Sequence, residues 1–158
     1  MLIIKQLQKL CLEHNISIAV AESCTSGLIS SNLASVPGSS QYFKGGIVAY
    51  QNEIKIKILN VSREVISAKT EVSREVVEQM AKNVLLYFGA DFSVATSGYA
   101  GPGGGTDSNP IGTVYIAVAH SSNTVVERIV FKGNRQSIVN QATESSINLL
   151  LSEIKKYK

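Results

Sequence analysis

Ile3, Ile4, Leu7, Leu10 and Cys11 recur at three- and four-residue spacings, which predicts an amphipathic helix over residues 3–14 that stops at Asn15. The pattern then becomes a continuous apolar run at 16–21, predicting a buried strand, and a polar bend at 22–27 leads into an apolar helix over about 28–34. A loop at 37–40 and the pair Gly45-Gly46 precede a predicted second strand at 47–50, followed by a helix over roughly 52–59. Ser73 is placed to cap a helix running to about Phe88. Glu75 and Glu78 favour its positive end, Val76, Val77, Met80, Val84 and Leu85 form its apolar face, and Gly89 ends it. Downstream the pattern predicts a strand at 92–96, a glycine-dense loop from Gly98 to Pro110, and strands near 113–119 and 124–131. A last helix starts at Asn134 or Arg135 and buries Ile138, Ala142, Ile147, Leu150 and Leu151. Alternating helices and strands predict an α/β layered domain with a mixed sheet.

Composition supports this picture. With 158 residues, 44% of them hydrophobic and 17% charged, the sequence fits one globular domain over 1–158 with a real core. The net charge of +3 is scattered, which argues against a nucleic-acid partner. The longest apolar stretches, at 16–21 and 114–119, fall short of the ~20 residues a membrane span requires. Lys5, Gln6, Gln8 and Lys9 interrupt any leader-like start, so a cytoplasmic location without membrane association is expected. Two cysteines and two histidines are too few and too scattered for a structural zinc site, so no metal is expected and the thiols are read as reduced.

Three places carry candidate chemistry. Ser23 falls between a strand and a helix start, where first-turn N–H groups can hold a developing oxyanion; helix capping is the simpler role for such a serine. Cys24 is a rival nucleophile there. A serine needs a base, and neither His14 nor His120 has an acidic neighbour in sequence. Lysine is the other option: burial that lowers its pKa from ≈ 10.4 to ~8 raises the neutral fraction at pH 7 from ~0.04% to roughly 10%. Tyr50 and Lys55, at a strand end and on the next helix, could meet in a cleft, or the tyrosine could pack and the lysine face solvent. The loop from Gly98 to Thr106 could bring backbone N–H donors close to an anion, with Arg135 as a cationic partner, yet it matches neither the dinucleotide fingerprint nor the P-loop.

Taken together, 21–27 (AESCTSG), 37–40 (PGSS), Gly46 with Tyr50, Asn52 and Lys55, 100–106 (AGPGGGT) and 110–115 (PIGTVY) resemble the CinA C-terminal domain family, which includes the nicotinamide-nucleotide amidases. The resemblance implies a three-layer α/β/α domain with a mixed sheet, without a cofactor, usually a homo-oligomer. It implies hydrolysis of the carboxamide of nicotinamide mononucleotide to nicotinate mononucleotide and ammonia; a non-catalytic nucleotide-binding module is the alternative. By motif position, Ser23 is the nucleophile, Lys55 its base and Tyr50 the hydroxyl that assists proton movement, while N–H groups around Thr25 to Gly27 hold the oxyanion. Ser39 or Ser40, Asn52, Arg135 and the loop with Gly101, Gly103, Gly104 and Thr106 would surround the substrate, and Glu22 would orient the site. Three positions depart from the family pattern: Ser26 where glycine is frequent, Asn134 where aspartate is frequent, and Val139 where an arginine is often found. A side chain at 26 is expected to narrow the oxyanion approach, and losing an arginine at 139 to weaken phosphate binding.

Overall fold

The computed structural model describes residues 2–157. Its elements run α1 (Leu2–His14), β1 (Ile18–Glu22), α2 (Leu28–Leu33), β2 (Phe43–Val48), α3 (Asn52–Leu59), α4 (Arg63–Lys69), α5 (Arg74–Phe88), β3 (Phe92–Gly98), β4 (Thr113–His120), β5 (Asn123–Val130) and α6 (Arg135–Tyr157). The sheet is mixed, in the order β2-β1-β3-β4-β5, with β2, β1 and β3 paired in parallel and β4 pairing antiparallel with both β3 and β5.

Side chains alternate across a strand, and the alternation sorts the core into two layers. Ile18, Val20, Phe92, Val94, Ile116 and Val118 pack with α1, α2 and α6 on one face. Ala19, Ala21, Ala95, Ala117 and Ala119 line the other, where small side chains accommodate Val76, Val77, Met80 and Val84 of α5. Both faces are covered, giving a three-layer α/β/α domain. Among the described residues no helix is long and apolar enough to cross a membrane.

Several sequence expectations shift. The second strand is not 47–50 but Phe43–Val48, and it contains the two glycines expected to precede it. Gly46 faces Ser30 and Val20, where a Cβ would not fit, and Gly45, at φ +147°, lies against the Phe88 ring. Close packing thus overrides glycine's weak strand preference. β1 starts two residues later than expected and takes in Glu22, and α4 was not anticipated because Val65 and Ile66 are too short an apolar signal. Ser73 does cap α5, its Oγ accepting from the Val76 N–H, and Gly89 ends the helix in the left-handed region at φ 57°.

The crossovers position the site. After β1 the chain turns into α2 on one face, and after β2 it turns into α3 on the other. A crevice opens outside the carboxyl ends of parallel strands where neighbouring connections diverge in this way. Glu22, Val48 and Thr96 pair side by side there, so residues 23, 49 and 97 emerge together at that crevice.

Candidate active site

Ser23 follows β1 directly, its N–H donating to the Thr96 carbonyl at 3.1 Å. The turn through 27 is held from below by Glu22, which is wholly buried. One Glu22 oxygen accepts from the Gly27 and Ile29 N–H groups at 3.0 and 3.1 Å, the other from the Ser30 N–H and hydroxyl, both at 2.8 Å. A buried carboxylate is tolerated only when its lone pairs are filled, and the start of α2 fills them. The same contacts satisfy the orphan N–H groups of that helix. Glu22 therefore orients the turn from beneath and does not reach the cleft.

Lys55, near the middle of α3, is 1% exposed and extends back to the end of β1. Its Nζ lies 2.8 Å from Ser23 Oγ and donates to the Ala49 and Tyr50 carbonyls, both at 2.9 Å. Burial lowers its pKa from 10.5 to about 8, the Glu71 carboxylate opposing that shift. When neutral, the amine has two N–H bonds and one lone pair. The two carbonyls take both N–H bonds, which turns the lone pair toward Ser23, whose hydroxyl then donates to it. The solvated-lysine alternative is excluded for Lys55.

These groups open into a cleft of about 200 Å³ lined by Ser23, Cys24, Tyr50, Lys55, Glu71, Ser97, Tyr99, Gly101, Gly103 and Arg135, among others. Burial pushes the Cys24 thiol up to about 12, so it stays protonated and is a poor nucleophile beside Ser23. His14 and His120 line a separate hollow with Asp91 at the opposite end of the strands, so neither serves Ser23. Among the described residues no cluster of His, Cys, Asp or Glu could hold a metal ion.

The other expected site residues divide into those at the cleft and those away from it. Tyr50 is half exposed, and its hydroxyl accepts from Arg135 at 2.6 Å instead of meeting Ser23 or Lys55; its backbone carbonyl is what holds the lysine. Arg135 also donates to the Gly101 carbonyl at 2.7 Å, tying α6 to the glycine loop. Thr25 is fully buried with its hydroxyl 2.8 Å from that of Thr96. The Gly27 and Ser26 amides are spent on Glu22 and on the Ser23 carbonyl, whereas the Cys24 and Thr25 amides have no carbonyl partner among the described backbone bonds. Gly104 lies against the Tyr99 ring, and Thr106 is folded into a turn with Asn109. Asn52 is exposed at the start of α3, and Ser39 and Ser40 precede the amino end of β2, at the opposite end of the parallel strands from Ser23. Ser26 is exposed, away from the cleft lining, and at φ 46° it occupies a conformation that suits glycine. Val139 is buried in the core beside α6's other apolar residues and does not line the cleft.

Sequence reading missed Glu71, Ser97 and Tyr99. Ser97 donates to the Glu71 backbone carbonyl at 2.7 Å, and the Tyr99 hydroxyl sits between Thr70 and Glu71. Glu71 lies in the loop between α4 and α5, where no periodic pattern marks it.

Fold and site together define a class: α/β/α domains that hold a serine against a buried lysine where the connections leaving two parallel strands diverge. Residues 2–154 match the model of the CinA C-terminal domain, and the chain belongs to that family. A CinA-like protein of Thermosipho melanesiensis is 46% identical over 136 residues, covering 85% of this chain and 34% of its own length. Another, from Fervidobacterium nodosum, is 44% identical over 142 residues, covering 90% and 35%. The chain thus spans about a third of the curated relatives it matches. The crystal structure of the competence damage-inducible protein A from Klebsiella pneumoniae superposes with a TM-score of 0.95 at 28% identity, covering 99% of this chain and 97% of that one. A competence or damage-inducible protein from Enterobacter asburiae gives 0.93 at 33% identity, covering 96% of each.

Proposed function

We propose that this domain is an amidase that hydrolyses the carboxamide of nicotinamide mononucleotide through a serine-lysine pair. The observation that carries this reading is Lys55 Nζ at 2.8 Å from Ser23 Oγ, with its remaining hydrogens committed to two carbonyls. The neutral amine takes the Ser23 proton as Oγ attacks the carboxamide carbon. The carbonyl oxygen becomes an oxyanion near the Cys24 and Thr25 amides. Collapse breaks the C–N bond, and Lys55 returns the proton to the departing ammonia. Water then adds to the ester carbon, Lys55 accepting its proton and passing it to Ser23 Oγ as the acid leaves. No step requires the Tyr50 hydroxyl. Tyr50 instead holds Lys55 through its carbonyl and, with Arg135, forms the wall toward which the nucleotide's phosphate is directed.

Purified protein given nicotinamide mononucleotide is expected to release ammonia without added metal. Ser23→Ala and Lys55→Met are each expected to lower kcat by at least ~100-fold. Undiminished turnover by Ser23→Ala refutes the nucleophile. Calorimetric binding with no ammonia release by the wild type would identify a nucleotide-binding module instead.

A further inference from the structure

Two hydroxyls lie in a layer of the core that is otherwise apolar. Thr96 shares its face of β3 with Val94, its cross-strand partner is Ile116, and the Thr25 side chain reaches it from the turn after β1. Both threonines are wholly buried, and their Oγ1 atoms are hydrogen-bonded at 2.8 Å. Two valines would bury as much apolar surface, whereas each hydroxyl loses its hydration unless it finds a partner inside. At zero exposure neither can exchange the other for solvent. The bond is therefore a fixed link between β3 and the turn. Thr96 grips that turn at three successive residues: its carbonyl accepts from the Ser23 N–H at 3.1 Å, and its hydroxyl meets both the Cys24 thiol and Thr25. The Glu22 anchor begins only at Gly27. The Ser26 and Leu28 N–H groups close the turn on the Ser23 and Thr25 carbonyls, which leaves the side chains of 24 and 25 to Thr96.

We propose that Thr96 is a positioning residue for the oxyanion: its hydroxyl, acting through Thr25 and Cys24, keeps the 24 and 25 amides aimed at the point where the attacked carbonyl oxygen gains charge. The proposal rests on the amidase reading for the identity of that carbonyl. Such donors accelerate a reaction only when their direction is set before the charge develops, and about an ångström of slack removes most of the effect. Thr96 stands apart from the proton transfer, because the Lys55 amine is held by the Ala49 and Tyr50 carbonyls on the connection after β2. Loss of its hydroxyl thus slows the attack without weakening substrate binding or moving the lysine's titration.

The experiment compares Thr96→Val with Thr96→Ser, which keeps the hydroxyl, in two assays. With nicotinamide mononucleotide, Thr96→Val is expected to lower kcat at least ~10-fold, to hold KM within ~2-fold of wild type and to leave the pH at which kcat/KM levels off unchanged; Thr96→Ser is expected to keep kcat within ~3-fold. The second assay needs no amide. A small alkyl fluorophosphonate places its phosphoryl oxygen in the oxyanion position while Ser23 Oγ bonds to phosphorus, the P–F bond breaks, fluoride leaves and Lys55 takes the hydroxyl proton. Intact mass follows the labelling, and Ser23→Ala identifies the site. Labelling of Thr96→Val is expected to be at least ~10-fold slower than that of wild type or Thr96→Ser. Thr25→Val removes the same bond from its other end, so it is expected to match Thr96→Val, and the double variant to be no slower than either single one. Turnover and labelling of Thr96→Val at wild-type rates, a loss carried by KM, or a shifted pH profile would each mean that the pair serves only the fold or Lys55, which overturns the proposal and leaves the amidase reading standing. Should Thr96→Val not fold, Thr25→Val and Thr25→Ser are judged by the same criteria, and the kinetic split alone decides for a wild type that turns over but escapes labelling. Labelling that slows in Thr96→Val, in a protein whose wild type releases no ammonia, supports the role of Thr96 and ends the amidase reading; a wild type that does neither ends both.

Discussion

Lys55→Met tests the desolvated amine on which the site depends. The lysine is 1% exposed and its pKa falls from 10.5 to about 8. Between those values the unfolded chain binds a proton that the folded protein has released, so stability attributable to this residue rises with pH. Below pH 8 both states carry the ammonium, and the fold pays its desolvation in full, ~3 kcal/mol from the size of the gap. Above 10.5 both states carry the amine and the penalty is gone. Methionine has similar length and no charge, so its contribution is flat with pH, although it leaves the Ala49 and Tyr50 carbonyls without their donor at ~1 kcal/mol or more each. These terms nearly offset at pH 7, where wild type and variant are expected within about 2 kcal/mol of each other. Urea unfolding at pH 7, 8, 9 and 10 is the assay, because the buried Cys11 and Tyr42 groups are common to both proteins and cancel in the difference. Wild type is expected to gain ~2–3 kcal/mol on Lys55→Met across that range. Under the proposed reaction the same amine sets the rate, so kcat/KM of the wild type is expected to rise about tenfold per pH unit below pH 8 and to level above it. Stability curves that run parallel, or a rate still rising through pH 10, would falsify the claim that burial has lowered this pKa.

Removing the anchor of the Ser23 turn has a different signature. Glu22→Ala orphans the N–H groups of Gly27, Ile29 and Ser30 inside the fold and is expected to lose ~3–5 kcal/mol in urea unfolding, whereas Glu22→Gln, which keeps an acceptor, loses less. Gly112→Ala places a Cβ into the Phe131 carbonyl oxygen at φ +95° and is expected to lower Tm by more than ~5 °C in calorimetry. Ser26→Gly relieves a left-handed residue at φ 46° but loosens the unfolded chain, so its stability stays within ~1 kcal/mol of wild type; a loss above 2 kcal/mol would show that the Ser26 side chain itself supports the turn. Arg135→Ala frees the Tyr50 hydroxyl and the Gly101 carbonyl; under the proposed reaction KM for nicotinamide mononucleotide is expected to rise at least ~10-fold with the unfolding midpoint nearly unchanged.

What the sequence made legible was local. The cap at Ser73 and the stop at Gly89 are written in adjacent residues, so the limits of α5 follow from short-range hydrogen bonds and a single left-handed φ. The strand-turn position of Ser23 was visible for the same reason. Long-range relations were not. Nothing near Gly45 and Gly46 announces that Phe88 and Ser30 will press on them, so β2 was read from its apolar end alone. Arg135 on Tyr50 joins residues 85 positions apart, and only the fold reveals that the tyrosine hydroxyl is engaged there. Glu71 stayed silent because an acidic residue in a short loop has no period and no motif, and its meaning comes from Ser97 and Tyr99 arriving from another strand. Ser39 and Ser40 show the opposite failure, since a motif close to Ser23 in sequence ends at the amino ends of the strands, away from Ser23 at their carboxyl ends.

The internal guest at the start of α2 has a consequence for anions that approach it. Glu22 already occupies the Gly27, Ile29 and Ser30 N–H groups that a dissolved anion would seek at the start of α2, so sulfate or phosphate gains no foothold on them. A newly formed carboxylate meets a helix end whose polarity has been cancelled from inside, and under the proposed reaction the acid product leaves without being trapped.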